Sequence, residues 1–199
     1  MLDILANGNA KKGKFITSND FFLNGYNKII DLDDSYLKDS LLVKNFNEHG
    51  KAYLFSGKHA KAIKKIHEAL VISKKNKDSL SIAYSYKWIG NAYAMKKFYD
   101  DAIFYYKKCI KYDTSVKMQN DINSNLGNIY SLKKEYVKAE KYLLENLKAP
   151  DNNNFDLIVS NNNLANLYHN MKDYEKAHHY FLKTDEYATK SNNKIINSS

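Results

Sequence analysis

Residues 90–110 read GNAYAMKKFYDDAIFYYKKCI, and the spacing inside this stretch occurs four times along the chain. A small residue (Gly50, Gly90, Gly127, Ala165) is followed three positions later by tyrosine (Tyr53, Tyr93, Tyr130, Tyr168). Twelve positions after the small residue stands an alanine: Ala62, Ala102, Ala139, Ala177. The small residues are 40, 37 and 38 positions apart, so spacing is fixed inside a unit and variable between units. A helix–turn–helix unit repeated with connectors of different length gives this signature.

Around each anchor the apolar residues fall at helical spacing. In the second unit Ile82, Tyr86, Ile89 and Tyr93 mark one helix face, and Tyr99, Ala102, Ile103, Tyr106 and Ile110 mark another after a turn at Lys96–Phe98. Glycine in a helix interior costs about 1 kcal/mol relative to alanine, so Gly90 implies a close helix crossing, with Ala102 as its other half. Asp39, Asp78, Asp121 and Asp156 stand ahead of the four first helices, where capping residues are expected. Pro150 follows the third unit's second helix, a place where it interrupts no needed hydrogen bond.

The expected layout is an all-α solenoid over 19–190. It has an amphipathic capping helix at 19–32 and repeats at about 39–76, 77–115, 117–151 and 154–190. Segments 1–18 and 191–199 lack periodicity and read as disordered.

Composition narrows the class. The chain has 199 residues, seven glycines and one proline, which suits helices with short joints and not a turn-rich β fold. The single cysteine, Cys109, excludes a disulfide framework and fits a reducing, cytoplasmic setting. No apolar run reaches the roughly 18 residues that a membrane span needs. Net charge is +9, which favours acidic partners. Every basic residue is lysine, and without arginine's bidentate fork specific nucleic-acid reading is not expected.

GNAYAMKKFYDDAIFYYKKCI (90–110) and GNIYSLKKEYVKAEKYL (127–143) resemble tetratricopeptide repeats, in a version with a longer period than the usual ~34 residues. The tryptophan often found early in the first helix is replaced by Phe46, Tyr86, Asn123 and Asn161. The resemblance implies a non-catalytic scaffold whose first helices line a concave groove that holds a peptide segment of a partner. It places Lys87, Trp88 and Asn91 from the second repeat in that groove. The third repeat contributes Ser124, Asn125 and Asn128, and the fourth Asn162, Asn163 and Asn166. The same register puts Asn47, Glu48, Lys51, Phe55, Met95, Ser131, His169 and Asn170 on this wall. Asparagine offers a donor and an acceptor, so a ladder of them suits the backbone of an extended peptide. Trp88, the one tryptophan, suits an anchoring role. A second reading is the sensing or dimerising region of a bacterial histidine kinase or transcription regulator, whose output domain lies outside this chain.

No catalytic constellation is expected. The six histidines are dispersed, and the adjacent His178 and His179 diverge by about 100° around a helix. The segment Asp31–Asp39 has Tyr36 where a calcium loop needs glycine, and no glycine-rich phosphate loop occurs. No cofactor and no metal are therefore expected.

Overall fold

The computed structural model describes residues 15–148 and 153–196, with side chains described for 18–148 and 153–191. Among the described residues there are nine α-helices and no strand. They are α1 (Phe15–Ile30), α2 (Ser35–Phe55), α3 (His59–Lys75), α4 (Ser79–Met95) and α5 (Tyr99–Tyr112), then α6 (Val116–Leu132), α7 (Tyr136–Leu147), α8 (Asn154–Asn170) and α9 (Tyr174–Ile196). Two compact bodies result, one ending at Asp113 and the other beginning at Thr114. In the first, α2 packs on α1, α3 and α4, and α4 packs on α3 and α5. In the second, α6 packs on α7 and α8, and α8 on α7 and α9.

Helix ends differ from the sequence reading in physical detail. α1 begins at Phe15 and α9 runs to Ile196, so 15–18 and 191–196 are helical where disorder was expected. Pro150 and residues 1–14 and 197–199 lie outside the described residues. Asp78 does cap α4, its carboxylate accepting from Ser81 N–H at 3.1 Å. The other first helices start earlier than expected. Asp34, Ser115 and Asn153 cap α2, α6 and α8, which leaves Asp39, Asp121 and Asp156 inside those helices. Asp39 instead accepts hydrogen bonds from Lys75 and Asn76 at the end of α3, and these hold its carboxyl below the usual carboxylate range.

The fixed spacing inside a repeat comes from its turn. Seven residues after each small anchor stands a residue in the left-handed region: Gly57 (φ 73°), Lys97 (63°), Lys134 (61°) and Lys172 (64°). The next residue donates its N–H back to the anchor tyrosine's carbonyl: Lys58 to Tyr53, Phe98 to Tyr93, Glu135 to Tyr130 and Asp173 to Tyr168, at 2.8–3.0 Å. These are Schellman closures, which satisfy the last carbonyls of the first helix and fix where the second begins.

Packing locks the two helices of each repeat. A Cβ added at Gly90 would stand 2.6 Å from Tyr106 Cε1, and one at Gly127 would stand 2.5 Å from Leu143 Cδ2. The close approach is therefore to the residue sixteen positions on. The invariant alanine does not face the glycine side chain to side chain, although the Ala139 carbonyl follows at 3.3 Å. Ala62, Ala102, Ala139 and Ala177 are all buried. The anchor tyrosine also stacks on a tyrosine twelve positions later. Tyr93–Tyr105, Tyr130–Tyr142 and Tyr168–Tyr180 have ring centroids 5.3, 5.5 and 5.4 Å apart with planes within 8°. The first repeat has Lys65 at the later position, and Tyr53 stacks on His49 instead, at 4.5 Å. The Tyr53 hydroxyl there donates to Asn19 of α1 at 2.9 Å.

Candidate functional site

The first helices carry the side chains assigned to the binding wall, and the two bodies use them differently. In the first body α2 and α4 bring together Glu48, Lys51, Tyr84, Lys87 and Trp88. Lys51 Nζ donates to both Glu48 carboxylate oxygens, at 2.9 and 2.8 Å, and to the Tyr84 hydroxyl at 3.2 Å. The Tyr84 hydroxyl donates in turn to Glu48 at 3.2 Å. Burial works against the Lys51 ammonium, but the bonds to Glu48 and Tyr84 outweigh it and hold its pKa above the ordinary lysine value.

Trp88 sits in the middle of this group. Lys51 Nζ lies 5.0 Å and Lys87 Nζ 6.0 Å from its ring centroid, within cation–π range. Phe55 and Tyr84 meet it edge-on at 6.2 and 6.1 Å. Its inner side packs against the buried Leu54, Ala62 and Ala92, so it is half-buried and ties the second repeat to the first. The indole N–H has no hydrogen-bond partner among the described residues. Asn91 is turned toward its own repeat, its Oδ1 accepting from the Tyr106 hydroxyl at 2.7 Å. Burial pushes the Tyr106 pKa up, which keeps it a donor.

A cleft of about 340 Å³ opens between α2 and α4, lined by residues including Lys44, Glu48, Leu80, Ser81 and Tyr84. Tyr84, which the repeat register does not place on this wall, stands one helical turn before Trp88 on the same face. Asn47 borders this cleft but is barely accessible. It is buried, and its Oδ1 accepts from Ser85 at 3.2 Å.

In the second body the asparagines divide. Asn128 on α6 and Asn162 and Asn166 on α8 are exposed, whereas Asn125 and Asn163 are half-buried. Ser124 is spent internally, its hydroxyl accepting from the buried Asn146 at 2.8 Å. Ser131 likewise accepts from Asn170 at 3.2 Å, which joins α6 to α8. Asn128, Asn162 and Asn166 thus stand exposed on the first-helix surface of this body, with the exposed Asn170 and Gln119 donating to Ser131 and to the Thr114 carbonyl.

Cys109 is buried. Among the described residues no group of histidine, cysteine and acidic side chains could hold a metal ion. No described helix is long and apolar enough to cross a membrane.

Comparison with known proteins agrees with the repeat geometry. Residues 83–115 and 158–189 match the family model for the tetratricopeptide repeat. No curated protein matches the chain in sequence. Among solved structures, BtubC (BKLC) from P. vanneervenii is 18% identical with a TM-score of 0.77, over 96% of this chain and 80% of that one. MamA is 22% identical with a TM-score of 0.62, over 94% of this chain and 96% of that one. Pseudomonas aeruginosa pilF is 14% identical with a TM-score of 0.56, over 95% and 80% of the two chains. At these identities the likeness is one of fold.

Proposed function

We propose that this chain, built of tetratricopeptide repeats, is a non-catalytic scaffold that holds a segment of a partner protein on the faces of its first helices. Repeats of this kind generally mediate protein–protein interaction. The observation that carries the reading is the division of side chains on those faces. Asn47, Ser124 and Ser131 are consumed by bonds within the fold, while Asn128, Asn162 and Asn166 stand exposed on α6 and α8. Each exposed amide offers a donor and an acceptor, and Asn162 and Asn166 stand one helical turn apart, which suits the backbone of an extended segment. Each such bond contributes about 0.5–1.5 kcal/mol net, so useful affinity needs several of them plus an apolar anchor.

In the first body, Trp88 with Phe55 supplies apolar surface, and Lys87 stands beside it, while the charge of Lys51 is paired with Glu48. The net charge of +9 makes acidic segments the favoured class.

The test is capture of a partner by wild-type protein and by Asn128→Ala with Asn166→Ala, after the two proteins are shown to have equal thermal stability. Loss of the partner in the double variant supports the first-helix faces as the site. Equal capture by both places the site elsewhere.

A further inference from the structure

We propose that α1 is a cap that protonation of His49 releases, uncovering the surface of α2 formed by Phe46, His49, Ala52 and Tyr53. His49 lies on α2 under α1 and is only 2% exposed. Its ring is sandwiched: Phe22 of α1 stacks on one side at 4.9 Å and 13°, and Tyr53 stacks at 4.5 Å and 17°. Phe22 is itself buried and packs with Ala52, so the same contact that covers the histidine anchors the helix.

The polar links across this junction fix the tautomer of the neutral ring; the burial of the ring is what disfavours its charged form. His49 Nε2 lies 3.0 Å from Asn19 Oδ1, and the Tyr53 hydroxyl donates to the same oxygen at 2.9 Å. A carboxamide oxygen only accepts, so Nε2 carries the proton and Nδ1 is the free basic site. A second link from α2 runs from Asn45 Nδ2 to the Phe22 carbonyl at 3.2 Å, and it does not titrate.

An added proton must go to Nδ1, in surroundings unsuited to charge. From α1 the ring meets Asn19 and Phe22, and the neighbouring Asp20 is exposed. Its own helix presents Tyr53. From α3 come two cations, Lys65 with its Nζ 4.9 Å from the Phe46 ring and Lys61 with its Nζ 5.9 Å from the Tyr53 ring. The carboxylate of that helix, Glu68, is engaged by Lys65 at 2.7 Å. Burial first, and the Lys65 charge second, hold the His49 pKa down at about 4.

Linkage then fixes the direction. With α1 undocked the ring regains an ordinary pKa of about 6.5. The undocked state therefore binds more protons between that value and about 4, and docking weakens as pH falls through this window. Above it the cap is pH-insensitive. Within it the ratio of open to closed cap rises by about tenfold per pH unit. Elsewhere in the body the Asp39 carboxylate, held below its usual range by Asn76 and Lys75, contributes stability that is lost only as pH falls below the ordinary carboxylate value, beneath the histidine window.

The experiment is amide exchange on the whole chain from pH 7 to pH 4, corrected for intrinsic rates, comparing residues 18–30 with residues 82–92 of α4. The expected result is protection in 18–30 falling about tenfold per pH unit below pH 6, while α4 keeps its protection. His49→Gln keeps a donor for Asn19 without titrating, and His49→Phe keeps the ring stack. The variant that folds should hold α1 protection flat across the range. The proposal is overturned if wild-type α1 shows no such slope, if α1 and α4 lose protection together, or if a folded variant follows the wild-type curve.

Discussion

Gly90 lies against the ring of Tyr106, so closely that a Cβ at residue 90 would meet both Cε1 and Cδ1, at 2.6 and 2.7 Å. Tyr106 cannot simply swing away, because it is buried and its hydroxyl is bonded to Asn91. Gly90→Ala would gain about 1 kcal/mol of helix propensity but incur an overpacking cost of about 1–3 kcal/mol. The expected outcome is net destabilisation of about 1 kcal/mol, read from the urea midpoint at unchanged slope. The fourth repeat carries alanine at this place, and its residue sixteen positions on, Phe181, is 39% exposed and not wedged into the crossing.

The turns make the opposite prediction. Lys97, Lys134 and Lys172 hold left-handed backbone that costs an L-residue roughly 1–2 kcal/mol, and Gly57 shows the unstrained solution at the equivalent place. Lys134→Gly should stabilise by about 0.5–1 kcal/mol once the greater freedom of the unfolded glycine is deducted. Gly57→Ala should destabilise by a similar amount although nothing lies within 4 Å of the added Cβ. Thermal unfolding of the two variants checks both signs.

Capping distinguishes the observed helix starts from those expected. Asn153 accepts from the Asp156 N–H at 3.0 Å, so Asn153→Ala should lower stability by about 1 kcal/mol. Asp156→Ala removes only a charge in the first turn, and its effect should stay at about 0.3–1 kcal/mol. Paired denaturation curves separate them.

Trp88 is both packing and surface, and its removal should register in both. Trp88→Ala strips a ring from the Leu54, Ala62 and Ala92 cluster and should destabilise the first body by about 2 kcal/mol, less than the 3–5 of a fully buried aromatic. Because it is the one tryptophan, its emission reports on this wall alone. The wild-type signal should be partly accessible to acrylamide, and Lys51→Gln should change it by removing the cation 5.0 Å above the ring.

Much of the architecture was readable because it depends on what small residues permit. The anchors at 50, 90, 127 and 165, the alanines twelve residues on and the apolar spacing locate helices and crossings without coordinates. The left-handed lysines were not readable, since lysine carries no preference for that conformation and only Gly57 signals it. Aspartates at 39, 121 and 156 misled because aspartate serves a first turn as well as a cap, and the true caps Asp34, Ser115 and Asn153 stand three to six residues earlier. On the wall, spacing placed Asn47, Ser124 and Ser131 on the right helices. It could not tell that Ser85, Asn146 and Asn170 would take up their hydrogen bonds, because those partners come from other helices.

The most direct test of the first-helix faces as the binding surface is photo-crosslinking in the cell of origin. One probe is placed at Asn128 on α6, another at Asn166 on α8, and a control at the exposed Lys141 on the second helix α7. A protein partner captured from positions 128 and 166 but not from 141 is the expected result. Capture from 141 alone, or from none of the three, would contradict the proposed site.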